Sequence, residues 1–128
     1  MIDLWPDEFG PFSSPPPPIL TLKEQASIIS NKTGGRIVAA IYSESHDKDF
    51  AYRFMLVAPF LGDYEYELFV VSHPIELYPL EIDADVMAKQ FKCKTPEQFQ
   101  AALRTIFSSP QTSKVIRGIL AQTDAMRA

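Results

Sequence analysis

The segment Ser45-His46-Asp47-Lys48-Asp49 places a histidine among carboxylates. A nearby carboxylate favours the charged imidazole, so this segment could supply a proton donor, a base or metal ligands. The second histidine, His73, follows a β-rich run, and an antiparallel sheet would bring it to the edge that holds residue 46. A His46/His73 cluster with Asp47 or Asp49 would fit a small metal-dependent hydrolase or ligand-binding enzyme. We favour two surface histidines instead, because adjacent residues of a tight loop rarely converge on one point.

The lone cysteine, Cys93, lies between Lys92 and Lys94. Neighbouring cations make a thiol more reactive, but a nucleophilic cysteine also needs a base and an oxyanion donor, and neither lies near it in sequence. We therefore predict a buried thiol. The chain contains no CxxC, HExxH, GxGxxG, EF-hand or GxSxG pattern, so we predict no metal, no cofactor and no catalytic residues.

The segment Asn31-Lys32-Thr33-Gly34-Gly35-Arg36 resembles a phosphate-binding loop only in composition. Such a loop needs its glycines before a helix, where free amides face the anion. Here a helical pattern precedes the glycines and a β-rich run follows them. The segment is therefore predicted to end a helix.

An aromatic group surrounds the start of another β-rich run: Phe60 and Leu61 precede it, and Tyr64 and Tyr66 begin it. Tyrosine combines an apolar ring with a polar tip and suits protein interfaces. We predict an interface at these four residues, with Trp5 of the N-terminal arm as a further anchor. Their more ordinary use would be the core face of the sheet.

Composition indicates one domain: the chain has 128 residues, of which 46% are hydrophobic and 22% charged. The single cysteine and the absence of a signal-peptide pattern or a long apolar run favour a cytoplasmic location without membrane contact. Residues 44–85 hold ten acidic against two basic residues, and residues 86–128 seven basic against two acidic. The C-terminal bases argue only weakly for nucleic acid, because the chain is acidic overall and lacks a recognition motif.

Residues 1–20 are predicted to form an extended proline-rich arm that precedes a single domain over residues 21–128. Prolines disfavour helix there, yet the arm carries Ile2, Leu4, Trp5, Phe9 and Phe12. A fully solvated tail rarely holds so many large apolar groups. The arm is therefore expected to lie across its own domain or across a partner.

Three β-rich runs follow one another closely, at about 36–44, 50–58 and 64–71. The links between them are too short for crossover helices, so the strands must be antiparallel. In the third strand, Tyr64, Tyr66, Leu68 and Val70 should share one face. Because Phe69 and Val71 would then point to the other face, a helix covering part of that second face is expected.

Helical patterns flank the strands. A first helix is expected over 22–32 with Thr21 and Glu24 as a capping box, and a short edge strand and then a short helix are expected between Leu80 and Phe91. Thr95-Pro96 and Ser109-Pro110 each predict a helix start. The sequence thus predicts the α+β class: an antiparallel meander of three to four strands, packed on one face by an N-terminal helix and two to three C-terminal helices.

These features favour a small non-catalytic protein-binding module. An adaptor, an antitoxin or immunity-type neutraliser and a self-associating regulator are equally compatible with the residues. The expected partner is another protein or a second copy of the chain in a homodimer.

Overall fold

In a computed structural model, which describes residues 1–10 and 15–127 and only the backbone of His46, five strands form one antiparallel sheet in chain order. The strands are β1 (Val38–His46), β2 (Asp49–Ala58), β3 (Tyr64–His73), β4 (Leu80–Ala84) and β5 (Lys89–Cys93). The helices are α1 (Pro18–Lys32), α2 (Pro96–Phe107) and α3 (Pro110–Arg127). Within the described ranges, no helix has the length and hydrophobicity needed to cross a bilayer. The predicted α+β class is confirmed, with one strand more than expected.

Helix α1 begins earlier than the sequence indicated. Pro18 is its first residue, and Pro17 stands at the N-cap without a side-chain hydrogen bond. Thr21 and Glu24 therefore do not form the expected capping box. Proline is well suited to the first helical position because its missing N–H has no partner there anyway. The predicted helix end is confirmed, since Gly34 and Gly35 follow α1 with φ of 60° and 79°.

The prediction of a short helix before Phe91 is wrong. A single 3-10 turn, Asp85–Met87, is followed by Ala88 at φ 50° and then by β5. The run from Gln90 to Lys94 alternates polar and apolar residues, which is the strand period. β5 is thus the outer strand, and β4, expected at the edge, pairs on both sides.

A β-bulge in β3 overturns the predicted face assignment. Phe54 pairs with Phe69 and the next residue, Met55, pairs with Glu67, which leaves Leu68 without a partner across the ladder. Such an extra residue reverses the alternation of the strand. Consequently Phe69, Val71 and His73 join Tyr64 and Tyr66 on the helix-covered face, while Val70 moves to the opposite face. The expected helix over that opposite face is therefore not needed.

The helices cover the sheet face that carries the core. Phe54 and Phe69 stack with ring centroids 4.9 Å apart, and Phe107 at the end of α2 packs on both at 5.6 and 5.8 Å. Leu22 of α1 and Ile119 of α3 are buried in the same core. The opposite face of the sheet, called the open face below, has no helix over it in the described part of the chain.

Both predicted helix caps, in which a threonine or serine stands directly before a proline, are confirmed. The Thr95 hydroxyl accepts a hydrogen bond from the Gln98 amide at 3.1 Å, and the Gln98 side chain accepts one from the Lys94 amide at 2.7 Å. Ser109 caps α3 in the same way, accepting from the Thr112 amide at 3.1 Å. These bonds fix where α2 and α3 start relative to the sheet.

Thr95→Ala should lower the free energy of unfolding by about 1 kcal/mol, since it removes the N-cap acceptor of α2. Urea denaturation followed by circular dichroism measures the change. Thr105→Ala is the matched control, because the exposed Thr105 bonds only to Ala101 within the same helix. A similar loss in both variants would contradict the capping role.

Candidate functional site

The predicted histidine cluster is only partly described. His73 pairs with Phe50 and His46 pairs with Asp49, so both lie at the same end of the sheet as expected. The His46 side chain lies outside the described part of the structure. Asp47, in the turn at φ 54°, and Asp49 are exposed. No group of three or more metal-ligating side chains exists among the described residues, and the cluster stays a prediction.

The environment of His73 is that of a core residue. Only 4% of it is exposed, and the Phe50 and Tyr52 rings each lie 5.5 Å from the imidazole. Its Nδ1 donates to the Pro74 carbonyl at 2.7 Å. Nε2 is buried and has no hydrogen-bond partner among the described atoms. The ring therefore serves chiefly as an aromatic packing element.

Cys93 is a buried free thiol, as predicted. Burial raises its pKa, which disfavours the nucleophilic thiolate. The neighbouring lysines lie on the outer strand: Lys92 approaches Glu81 at 3.9 Å, and Lys89 lies 5.0 Å from the Phe91 ring. Charged residues on an edge strand discourage pairing with other chains, which accounts for this basic group.

The first ten residues, called the arm tip below, do not pack on the domain. All of them are exposed, including Trp5 at 74% and Phe9 at 65%. These two rings lie 6.1 Å apart and contact each other. Phe12 lies outside the described residues. We expected the arm to lie across its own domain or across a partner. The arm tip does not lie across its own domain, and docking on a partner stays a prediction.

The aromatic group predicted as an interface forms one wall of a groove against α3. Tyr64 and Tyr66 begin β3 on the helix-covered face, and Leu61 belongs to the 3-10 turn Pro59–Leu61 before it. The groove has a volume of about 430 Å³. We call it the α3–β3 groove, and its lining residues are Leu61, Tyr64, Tyr66, Lys114, Val115, Gly118, Ile119 and Gln122.

Phe60 extends this apolar surface at the C-terminal end of α3. Its ring is 47% exposed, and the Arg127 guanidinium lies 4.8 Å from its centroid. Tyr64 is 49% exposed. The structure therefore brings four of the five predicted interface residues to one place. The fifth, Trp5, is not among the residues that line the groove.

Gly118 was not anticipated from the sequence. It lies in the middle of α3, and a Cβ built on it would meet no described atom within 4 Å. Glycine inside a helix destabilises it by roughly 0.5–1 kcal/mol relative to alanine. Packing within the described part of the chain therefore does not require a glycine at this position. The glycine does leave the α3 wall of the groove without a side chain there. The only sequence signal was a glycine inside the apolar stripe of the last helix.

Two further depressions flank α1. One, of about 260 Å³, lies between α1 and α3 over Phe54, Leu56 and Leu68. The other, of about 490 Å³, lies between α1 and α2. Neither contains a residue of the predicted interface or a helical glycine, so the α3–β3 groove is the stronger candidate for binding.

The open face carries polar side chains that already bond one another. The Tyr42 hydroxyl donates to Glu65, and Arg53 contacts Glu44 at 3.0 Å and Glu67 at 3.7 Å. A hydrogen bond with Asp85, followed by burial and the Asp85 charge, raises the pKa of Glu67, although Arg53 opposes the shift. Three carboxylates of residues 44–85, those of Glu44, Glu65 and Glu67, thus lie on this face with bonding partners.

Comparison with known proteins identifies no relative. No protein-family profile matches the chain, and no curated protein or solved structure is detectably similar to it. Any functional argument therefore depends on the surfaces described above.

Stability should respond to the raised pKa of Glu67. A carboxyl group whose pKa rises on folding binds more protons in the folded state, so the free energy of unfolding falls as pH rises above the ordinary value of 4.5. Glu67→Gln should remove this fall and leave the variant more stable than wild type near neutral pH, by less than about 1 kcal/mol because the pair is partly exposed.

Urea titrations across the acid range measure the difference between variant and wild type. Glu76→Gln, at an exposed position in the link before β4, is the control. If the free energies of unfolding of Glu67→Gln and wild type differ by the same amount at every pH, the Glu67–Asp85 coupling is refuted.

Gly118→Ala should raise the free energy of unfolding by about 0.5–1 kcal/mol, since the methyl group meets no described atom and favours helix. Gly35→Ala is the contrasting control. Its Cβ is equally free of contacts, but its φ of 79° strains any side chain, so it should be destabilised. A loss of stability in Gly118→Ala would show that the position is already packed.

Proposed function

We propose that this chain is a cytoplasmic, non-catalytic protein-binding module that receives an apolar segment of its partner in the α3–β3 groove. The observation that carries the proposal is the groove itself, in which Leu61, Tyr64 and Tyr66 face a stretch of α3 that has no side chain at Gly118. An adaptor, an immunity-type neutraliser or a self-associating regulator would each use such a surface.

The chemistry of the groove supports this role. Half-exposed tyrosine and phenylalanine rings give large contact area at low cost in side-chain entropy, and residues of this kind dominate binding energy at interfaces. A volume of about 430 Å³ is enough for one or two large side chains. The free, buried Cys93 is consistent with a reducing compartment.

The test is affinity purification of the tagged full chain from its own cells, with co-purifying proteins identified by mass. Gly118→Leu fills the groove and is compared with Gly118→Ala, which adds only a methyl group. Tyr64→Ala, on the groove, is compared with Tyr42→Ala, a tyrosine of similar exposure (42%) on the open face.

A partner retained by wild type and Tyr42→Ala, reduced at least about tenfold by Gly118→Leu and Tyr64→Ala, and reduced less by Gly118→Ala, would support the groove. Unchanged recovery with Gly118→Leu, together with loss in Tyr42→Ala, would place binding on the open face and refute the proposal.

A further inference from the structure

We propose that the partner segment is the arm tip of a second copy of this chain, so that two copies exchange their arms and form a reciprocal dimer. Trp5 of one copy would then occupy the α3–β3 groove of the other. This inference rests on the proposed function, because it names the occupant of the same groove.

The two surfaces match in hydrophobicity. The arm tip exposes five large apolar side chains, Met1, Ile2, Leu4, Trp5 and Phe9. The groove and its rim expose Phe60 and Tyr64, and Met126 lies exposed on the last turn of α3. Contiguous apolar groups left in water on both sides of one chain favour association between copies.

The two surfaces also match in charge. The arm tip carries Asp3, Asp7 and Glu8 and no lysine or arginine. Helix α3 carries three bases, Lys114, Arg117 and Arg127, against one acid. That acid, Asp124, is already bonded to Arg36 through both carboxylate oxygens at 2.9 Å. Among the residues that line the groove, the charged one is Lys114, so the helix side of the groove is basic.

The position of the arm favours docking in the groove of a second copy over docking in the groove of its own chain. The arm joins α1, which packs beside the row of α3 that includes Ile116. Gly118 lies about 200° around α3 from Ile116, on the far side of the helix. The start of α1, from which the arm leaves, borders α2 and not the groove. Pro17, the N-cap of α1, has φ −58° and ψ 141°, which is the stiff polyproline conformation.

Reach does not limit the exchange. Trp5 lies thirteen positions before Pro18, which at 3.3–3.6 Å per residue allows an extension of up to about 45 Å. A twofold dimer uses the same contact twice, so each weak arm contact is reinforced by its symmetry mate.

Trp5 is the only tryptophan of the chain and reports directly on docking. Sedimentation equilibrium of the full chain should show a concentration-dependent dimer, with a blue shift of tryptophan emission over the same concentration range. Trp5→Ala and Gly118→Leu should each raise the dimer dissociation constant at least about 30-fold, while Tyr42→Ala, on the open face, should leave it within about threefold.

Mixing the two defective variants tests exchange itself. A Trp5→Ala copy keeps its groove and a Gly118→Leu copy keeps its arm, so the mixture retains one of the two contacts. It should form a heterodimer weaker than the wild-type dimer and stronger than either variant alone.

Three results would overturn the inference. A dimer that survives Trp5→Ala would point to another mode, such as pairing of the nine-residue edge strand β1. A blue-shifted Trp5 in a monomer at every concentration would show docking on its own groove. A chain that stays monomeric with exposed Trp5 would exclude self-association. In that last case, a co-purified protein lost in Gly118→Leu would leave the proposed function intact, and its absence would remove both.

Discussion

The bulge at Leu68 is the constraint on which the arrangement of this protein depends. Without it, the alternation that begins at Tyr64 would place Phe69 and Val71 on the open face. With it, Phe69 and Val71 are buried together with Leu68. Burial of each such side chain is worth about 1.5–3 kcal/mol, so the reversed alternation decides which sheet face can receive helices.

The same reversal shapes the groove. Because Tyr64 and Tyr66 share the helix-covered face with Phe69, the start of β3 extends beyond the core but still faces α3. The rings there are partly covered by the helix and partly left in solvent. After the bulge, Phe69, Val71 and His73 are buried, and Phe69 stacks on Phe54 and meets the Phe107 ring edge-on. One strand thus supplies both the densest part of the core and the most exposed aromatic surface of the domain.

The element order could be predicted because short links and strand-period patterns leave few topologies. The two helix starts at Thr95 and Ser109 were visible because the cap and the proline are local. The bulge was not visible, since the residue pattern of β3 reads the same with or without an unpaired Leu68. β5 was missed because Asp85 also suits a helix cap, and only pairing with β4 makes those five residues a strand.

The residues of the candidate surface also divide into those that the sequence could identify and those that it could not. Phe60, Leu61, Tyr64 and Tyr66 could be found because one loop and one strand start bring them together. Gly118 and the α3 wall could not, because the row of a helix that faces a given strand is set by docking of the whole helix layer. The shared sheet end of His46 and His73 followed from topology alone, whereas the burial of His73 among aromatic rings depends on the bulge.

Two features of the chain are unfavourable for an isolated monomer, and the proposed binding role would explain both. Replacing Gly118 by alanine and the apolar arm tip by polar residues would each improve an isolated monomer, yet both features are present. The open face shows no comparable unfavourable feature, because Tyr42 and Arg53 already bond to the carboxylates around them. Burying that face would exchange existing bonds for new ones and gain little. Filling the α3–β3 groove would instead remove apolar surface from water without breaking any bond described there, which is why binding is assigned to the groove.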